Sequence, residues 1–471
     1  MQFDRRAFLA ASAATAISSK TLAQSAPVLR PEDFGARGDG VANDTRAFAA
    51  LSAEVNRRGG GTISLAPKRT YIVGGQRRGG TLFAWEPEPI LDLHDLAGPL
   101  TIVGNGARLR CEAGLRFGTF DPASGAPVRR AMPNLQRSEL ASPYRALIHV
   151  HNCRGPVAVR DVELDGNLER LRIGGPFGDT GWQIPATGLL LEGNLGEEVV
   201  ENVLTHHHGQ DGAIIIGDSR RSGRSRISRL VSRSNGRQGL SVTGGRGYDF
   251  VDCEFSHTGR GAISSAPGAG VDIEAEGGPV RDLSFTRCKF VDNAGVGMVA
   301  DSGDSEDARF TDCVFVGTTT WSAWPNKPRF SFAGCTFVGA VVHPFPDKSA
   351  ARGARFVECR FTDDPRLSPT GKVYLESGPI VNLAESDNVL FDRCKFDLVG
   401  DGVLPWSWRA TYRDCVMAQR SPKPAMTKGR YLGRNTISGP VDLYGSMIQG
   451  VVMLNGRVVP PGKVGTDVRP W

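Results

Sequence analysis

Phe250-Val251-Asp252-Cys253-Glu254-Phe255 is the first statement of a phrase that recurs through the second half of the chain. It returns as FTRCKF from Phe285, FTDCVF from Phe310, FAGCTF from Phe332, FVECRF from Phe356, FDRCKF from Phe391 and YRDCVM from Tyr412. Successive cysteines lie 35, 25, 22, 24, 35 and 21 residues apart. A period of about 20–25 residues with occasional insertions is what a stacked solenoid produces, since every turn adds one strand to the same sheet and surplus residues leave in loops. The Cys and Phe columns then become interior ladders, coil resting on coil at about 4.8 Å.

Coils without cysteine extend the pattern towards the N-terminus. VAVRDVELDGN from Val157, EEVVENVLTHH from Glu197 and SRISRLVSRSN from Ser225 place Val162, Val203 and Leu230 in the cysteine column. Residues 72–96 and 112–147 lack clear periodicity and read as loops or a side structure, and the weakly patterned tail, about 421–471, is expected to cover the C-terminal end. Although 471 residues could hold two or three ordinary domains, repetition over more than half of them argues for one elongated domain spanning 27–471. With 59 Gly, 29 Pro and 8% aromatics the composition suits a turn-rich all-β protein.

The N-terminus reads DRRAFLAASAATAIS, with Arg5-Arg6, a modestly apolar run and Thr21-Leu22-Ala23 as a small-residue cleavage site. This resembles a twin-arginine export signal over residues 1–23, which implies a periplasmic or secreted bacterial protein. The other reading is a short helix of the mature fold. No later run approaches 18 apolar residues, so no membrane span is expected. The formal charge is +6, or +4 without the first 26 residues, which permits an acidic polymer partner and gives no reason to expect nucleic acid. Seven of the nine cysteines share one inward column, so they read as buried free thiols. A metal site among them would need ligands 21 or more residues apart, without any CxxC.

Before the first coil stands DFGARGDGVANDTRAFAALSAEVNRRGGGTISLAP, from Asp33 to Pro67. Asn43-Asp44-Thr45 offers an N-cap, Ala47, Phe48, Leu51 and Val55 fall at helical spacing, and Gly59-Gly60-Gly61 closes a helix predicted over 45–57. A strand is expected over 62–65, and the helix, within an N-terminal unit of 31–75, is expected to cap the open end of the solenoid core. This segment resembles the N-terminal signature of the pectate lyase superfamily group that includes polygalacturonases, rhamnogalacturonases, epimerase-like proteins and some phage tailspikes. The resemblance implies a right-handed parallel β-helix and an extracytoplasmic carbohydrate partner. It does not choose a reaction, because hydrolases, lyases, epimerases and binding proteins share that segment.

Counting from the cysteine column registers the neighbouring strands. Nine residues lead from Val203 to Gly212, from Leu230 to Gly239 and from Cys288 to Gly297, while Cys253 reaches Gly270 after an eight-residue insertion. In the strands that follow, Ala213 and Ile215, Leu240 and Val242, Val271 and Ile273, and Met298 and Ala300 point inward. The outward positions gather Asp272 and Glu274, with Glu276 two residues on and Asp301 expected beside Glu274, about 5 Å away. Carboxylates this close raise one another's pKa, and an acid beside a carboxylate is the equipment of glycoside hydrolysis. Two other readings stand beside this one: a solvated acidic surface, and a calcium site at Asp272, Glu274, Glu276 and Asp301, as the resemblance to pectate lyases suggests.

The turns before these strands hold His206-His207-His208-Gly209-Gln210-Asp211 and, one coil on, Arg233-Ser234-Asn235-Gly236-Arg237-Gln238. Asn235 and Asn293, in register with His208, read as structural turn residues. His208, Arg237 and Gln238 are candidate substrate contacts, Arg237 as a clamp on a substrate carboxylate or as a base in elimination. Comparison with polygalacturonases partly fails. Their Asn-Thr-Asp falls on Gly209-Gln210-Asp211, keeping the Asp; their Asp-Asp falls on Arg237-Gln238, and their Gly-His-Gly on Gly268-Ala269-Gly270.

The reading is therefore an exported, polysaccharide-degrading, hydrolase-like enzyme acting on an acidic polymer, with Asp272, Glu274, Asp301 and Asp211 as catalytic candidates and Glu276 as a further substrate contact. A lyase or C5-epimerase is the alternative, with Arg237 or a histidine among 206–208 removing the C5 proton. A non-catalytic carbohydrate-binding β-helix is the third. No cofactor beyond calcium is expected.

Overall fold

A computed structural model describes residues 28–129, 139–175, 183–376, 378–383 and 387–465. The expected export signal lies outside the described residues. The chain is a parallel β-helix: a 38-stranded sheet in which each strand pairs with its counterpart one coil away. Three stacks can be followed through any turn. In one coil they are Ser225–Ser228, Val231–Arg233 and the start of Gln238–Val251, each paired in parallel with the coils before and after.

The repeated phrase spans the corner between the first two stacks. Its leading aromatics form one ladder, with Phe285, Phe310, Phe332, Phe356 and Phe391 stacked at 4.8–5.1 Å and within 11° of parallel. Its trailing aromatics form a second, Phe290, Phe315, Phe337, Phe361 and Phe396, at 4.5–4.9 Å. Edge-on contacts tie the ladders together, as between Phe310 and Phe315 (5.8 Å, 63°). The residue before each cysteine takes a left-handed conformation, as at Asp252, Arg287, Asp312, Glu358, Arg393 and Asp414. That turn aims the cysteine inward, where its thiol reaches the carbonyl of the leading aromatic one coil earlier: Cys335 Sγ to Phe310 O and Cys359 Sγ to Phe332 O, both 3.4 Å. All nine cysteines are buried and free. The thiol column is thus apolar filling and also a set of weak donors to corner carbonyls. In the last of these corners Asn435 replaces the cysteine, and its Oδ1 accepts the Cys415 N–H.

The N-terminal helix runs Thr45–Arg58 and buries Ala47, Phe48, Leu51 and Val55. It ends at Gly59, in a left-handed conformation at φ 72. Asp44 does not cap it by side chain; its carboxylate accepts the Arg37 and Gly38 N–H groups and ties down the preceding loop, while Asn43 Oδ1 receives the Thr45 N–H. The helix lies against the strand Leu91–His94, with Asn56 Nδ2 donating to Asp92 O and Asn56 Oδ1 accepting from His94 N. The expected strand forms as Gly61–Ser64.

Two unpatterned regions are more regular than their sequence. Strands Gln76–Arg78, Trp85–Pro87, Arg116–Thr119, Leu140–Ala141 and Arg172–Gly174 build a separate five-stranded side sheet. The tail continues the parallel stacking through Thr427–Leu432 and Arg434–Ser438, and Val451–Leu454 then pairs antiparallel with Arg457–Val459. Among the described residues no helix is long and apolar enough to cross a membrane.

Phe332 touches both ladders and is fully buried. Phe332→Ala is expected to cost about 3–5 kcal/mol, read as a lowered urea midpoint; an unchanged midpoint would remove the ladder from its stabilising role.

Candidate functional site

Each coil enters the third stack through a glycine. A Cβ built on Gly212 would lie 2.9 Å from the Gly239 carbonyl oxygen, one on Gly239 2.4 Å from that of Gly270, and one on Gly270 2.5 Å from that of Gly297. The column holds backbones too close for any side chain. From it, Ala213, Leu240, Val271 and Met298 pair in register and are buried, as their spacing predicts. Alternate residues face outward, and one outward column runs Ile214, Ser241, Asp272, Val299 and Trp324.

Asp272 is the chemically distinctive member. It points away from the core, yet it is only 5% exposed. Its Oδ2 accepts from Gln238 Nε2 at 2.8 Å, and Gln238 Oε1 accepts the Ala269 N–H, which fixes the amide. Burial first and the neighbouring Glu274 second, against the opposing pull of Arg237, hold the Asp272 carboxyl up at about 8. At neutral pH Asp272 is therefore a protonated acid. Glu274, two residues along, is half-buried, and its Oε1 accepts from Ser302 Oγ at 2.5 Å. Asp211 lies beneath this face with no exposure, its Oδ2 held by Ser241 Oγ at 2.7 Å and near Arg237 Nη1 at 3.5 Å. Burial raises its pKa too, against the opposing pull of Arg237 and Ser241.

Several expected positions differ. Asp301 does not stand opposite Glu274: Asp272 pairs with Val299 but Ala275 with Gly303, so the later coil carries one extra residue, Ser302 takes the place beside Glu274, and Asp301 is exposed. Glu276 is likewise exposed. His208 cannot line a groove, because it is fully buried with Nδ1 on Tyr144 Oη at 2.9 Å and Nε2 on Leu164 O at 3.1 Å. Asp211 is sealed from solvent, with Ser241 and Arg237 as its side-chain partners. Arg237, at 8% exposure, faces Asp211. Asn235 and Asn293 are structural, their Oδ1 atoms accepting the backbone N–H of His208 and Thr258 one coil earlier.

A second polar group stands on the same face, in coils where the nine-residue spacing to the third stack does not hold. Strands Leu91–His94, Ala146–His151 and Thr187–Glu192 pair so that Asp92, His149 and Leu190 share one outward column, and His94, His151 and Glu192 the next. The alternations LDLH, IHVH and LLLE carry this signal in sequence. Asp92 Oδ1 lies 3.1 Å from both His149 Nδ1 and His151 Nε2; His149 Nε2 lies 3.0 Å from Glu192 Oε2, which Arg145 Nη2 also reaches at 3.0 Å. Asp92, Arg145, His149 and His151 line a cleft of about 620 Å³, walled also by Phe83, Glu86 and Pro185.

Among the described residues, two sets of His, Cys or acidic donors converge within 4.8 Å: Asp92 with His149 and His151, and Asp165 with His206 and His207. The four carboxylates considered for calcium are not such a set.

No protein-family model and no curated protein matches the chain. Among solved structures, the N-terminal fragment of bacteriophage phi29 gene product 12 aligns over 92% of this chain and 73% of its own, at 12% identity and a TM-score of 0.54. The A-module of the Azotobacter vinelandii mannuronan C-5 epimerase AlgE4 aligns over 93% and 100%, at 14% identity and a TM-score of 0.45. Tailspike protein gp49 of the Acinetobacter baumannii bacteriophage Fri1, a capsular polysaccharide depolymerase, aligns over 93% and 65%, at 13% identity and a TM-score of 0.36. At these identities the likeness is one of fold.

The buried acid has a consequence that needs no substrate. Because the folded chain holds the Asp272 proton up to about pH 8 and the unfolded chain releases it near 4, stability contributed by the neutral form is lost as pH rises between those values. Asp272→Asn is expected to be more stable than wild type at pH 8, with the gain shrinking towards pH 4 in thermal melts; a pH-independent difference would contradict the raised pKa.

Proposed function

We propose that this protein is a polysaccharide hydrolase whose substrate lies along the outer face of the third stack, with Asp272 as general acid and Glu274 as the carboxylate that activates water. The observation that carries the reading is a nearly buried carboxyl, Asp272, two residues from a more exposed one, Glu274, with burial raising the Asp272 pKa to about 8. Residues two apart along a strand are about 7 Å apart, within the roughly 6.5–9.5 Å separation that leaves room for water between two carboxyls, so inversion is the expected stereochemistry. Gln238 orients the acid through its fixed amide, and Ser302 orients Glu274. Asp211, Ser241 and Arg237 form the polar floor beneath.

The same face supplies a surface for sugar rings. Two coils beyond Asp272 its column presents Trp324, packed edge-on against Trp321 at 5.2 Å and 82°. Partly exposed indoles offer the apolar faces on which pyranose rings stack. Elimination is less well served, since Arg237 and His208 are buried and directed at neighbouring groups. Acidic polymers are the first class to try, given the formal charge of +6. The early segment resembling the pectate lyase superfamily and its export-like N-terminus fit an extracytoplasmic polymer.

Incubation with a panel of uronate-containing and neutral polysaccharides is expected to release new reducing ends without the ultraviolet absorbance of an unsaturated uronate. Asp272→Asn and Glu274→Gln should each lower kcat by at least about 10²-fold, and the alkaline fall of the wild-type rate should lie near pH 8. Unsaturated products, or near-wild-type rates in both variants, would overturn the assignment.

A further inference from the structure

The cleft at the N-terminal end of the same face is built differently from the carboxylate pair, and its donors have a geometry of their own. We propose that Asp92, His149 and His151 form a binding site for a divalent transition-metal ion, zinc in the first instance. Four coil steps, about 19 Å at the strand spacing, separate it from Asp272, so it is a second site.

Three independent features of the donor set lead there. Asp92 Oδ1 lies 3.1 Å from His149 Nδ1 and 3.1 Å from His151 Nε2. With metal–donor bonds of about 2.0–2.1 Å, neighbouring ligands of a tetrahedral ion lie roughly 3.3 Å apart, so only small shifts would bring all three donors onto one ion. The two imidazoles are stacked, with ring centroids 4.2 Å apart and 15° between their planes, which presents both nitrogens to the same carboxylate. The third feature is the outer partner. His149 Nε2, the nitrogen turned away from Asp92, meets Glu192 Oε2 at 3.0 Å, and Arg145 anchors Glu192. A carboxylate on the far nitrogen of a ligating histidine fixes its tautomer and raises its basicity, as metal sites commonly require.

The rest of the site fits the same reading. Asp92 is met by His149 and His151, while Arg145 pairs with Glu192. The backbone carbonyl and amide around Asp92 are pinned by Asn56 of the helix, which holds the strand in place. Two imidazoles and one carboxylate suit zinc and its first-row neighbours better than calcium, which prefers more oxygen donors. The remaining coordination position would open onto the cleft of about 620 Å³.

The other converging set makes a useful contrast. Asp165, His206 and His207 also meet, but Arg108 lies 2.8 Å from Glu163 and Arg110 3.2 Å from Asp165, and His206 Nε2 is held by Glu163 at 3.0 Å. Two guanidinium groups already neutralise its acids, so a further cation gains little there.

The test is equilibrium titration of the chelator-treated full chain with zinc chloride, followed by cobalt chloride with visible spectra. One equivalent of zinc and the d–d absorption of a low-coordinate cobalt site are expected. Asp92→Asn and His151→Ala alter partly exposed side chains and should spare the fold, checked by circular dichroism; each should weaken binding at least as much as Glu192→Gln, for which a loss of about 10–100-fold is expected. His207→Ala should leave binding unchanged. Absence of stoichiometric zinc, binding that survives both Asp92→Asn and His151→Ala, or binding lost in His207→Ala would overturn the site and leave Asp92 as a carboxylate bridging two imidazole protons. Since the readout is metal stoichiometry, the result is independent of the hydrolase reading.

Discussion

Face-to-face stacking of identical aromatics on successive coils is the constraint on which this structure depends. Parallel strands hydrogen-bond almost equally well after slipping by two residues, so backbone pairing alone specifies register weakly. A ring that must lie over the ring below, at 4.8–5.1 Å and within 11° of parallel, removes that freedom. The thiols add to it, since each reaches a particular carbonyl in the preceding coil. Loops of very different length can then be inserted without disturbing the columns, as they are between Cys253 and Gly270.

Fixed register in the interior becomes fixed geometry on the exterior. With Leu240, Val271 and Met298 held in one inward column, Ser241, Asp272 and Val299 have no choice but to share an outward one. The glycine column brings the entering backbones close together and sets the depth at which Gln238 and Asp211 sit under that face. Asp272 is buried by this arrangement without being turned inward, and a carboxyl in that position keeps its proton at neutral pH. In the proposed reading Asp272 sits where solvation is poor and Glu274 where it is better, and that differential burial would let two neighbouring carboxyls take different roles in acid–base chemistry.

Sequence spacing reveals much of this and misses some of it for definite reasons. The inward residues of four strands follow from the cysteine count, and so does the outward direction of Asp272 and Glu274. Asp301 is misplaced because the coil after Val299 carries one extra residue just before Gly303, at φ 66, and period-2 counting assumes an even strand that this turn interrupts. His208 looks like a groove residue because it follows two other histidines, whereas Tyr144, 64 residues earlier, covers it. The cluster of Asp92, His149, His151 and Glu192 is legible in the alternations LDLH, IHVH and LLLE, but 26 residues separate Val162 from Gly188, the counterpart of Gly212, so the nine-residue spacing does not carry back to those coils.

By itself, then, the sequence determined the solenoid, its period, the inward columns, the N-terminal helix and the side of the sheet on which Asp272 emerges, because all of these are set by residues close along the chain or repeated at fixed spacing. Only the tertiary structure decided which outward residues are solvated and which are sealed, that Ser302 stands beside Glu274, that Gln76–Arg78, Trp85–Pro87, Arg116–Thr119, Leu140–Ala141 and Arg172–Gly174 form a side sheet, and that two histidines of one coil meet an aspartate of another at a cleft. Those outcomes depend on contacts between residues tens of positions apart, and on burial, which is a property of the assembled surface and not of any local pattern.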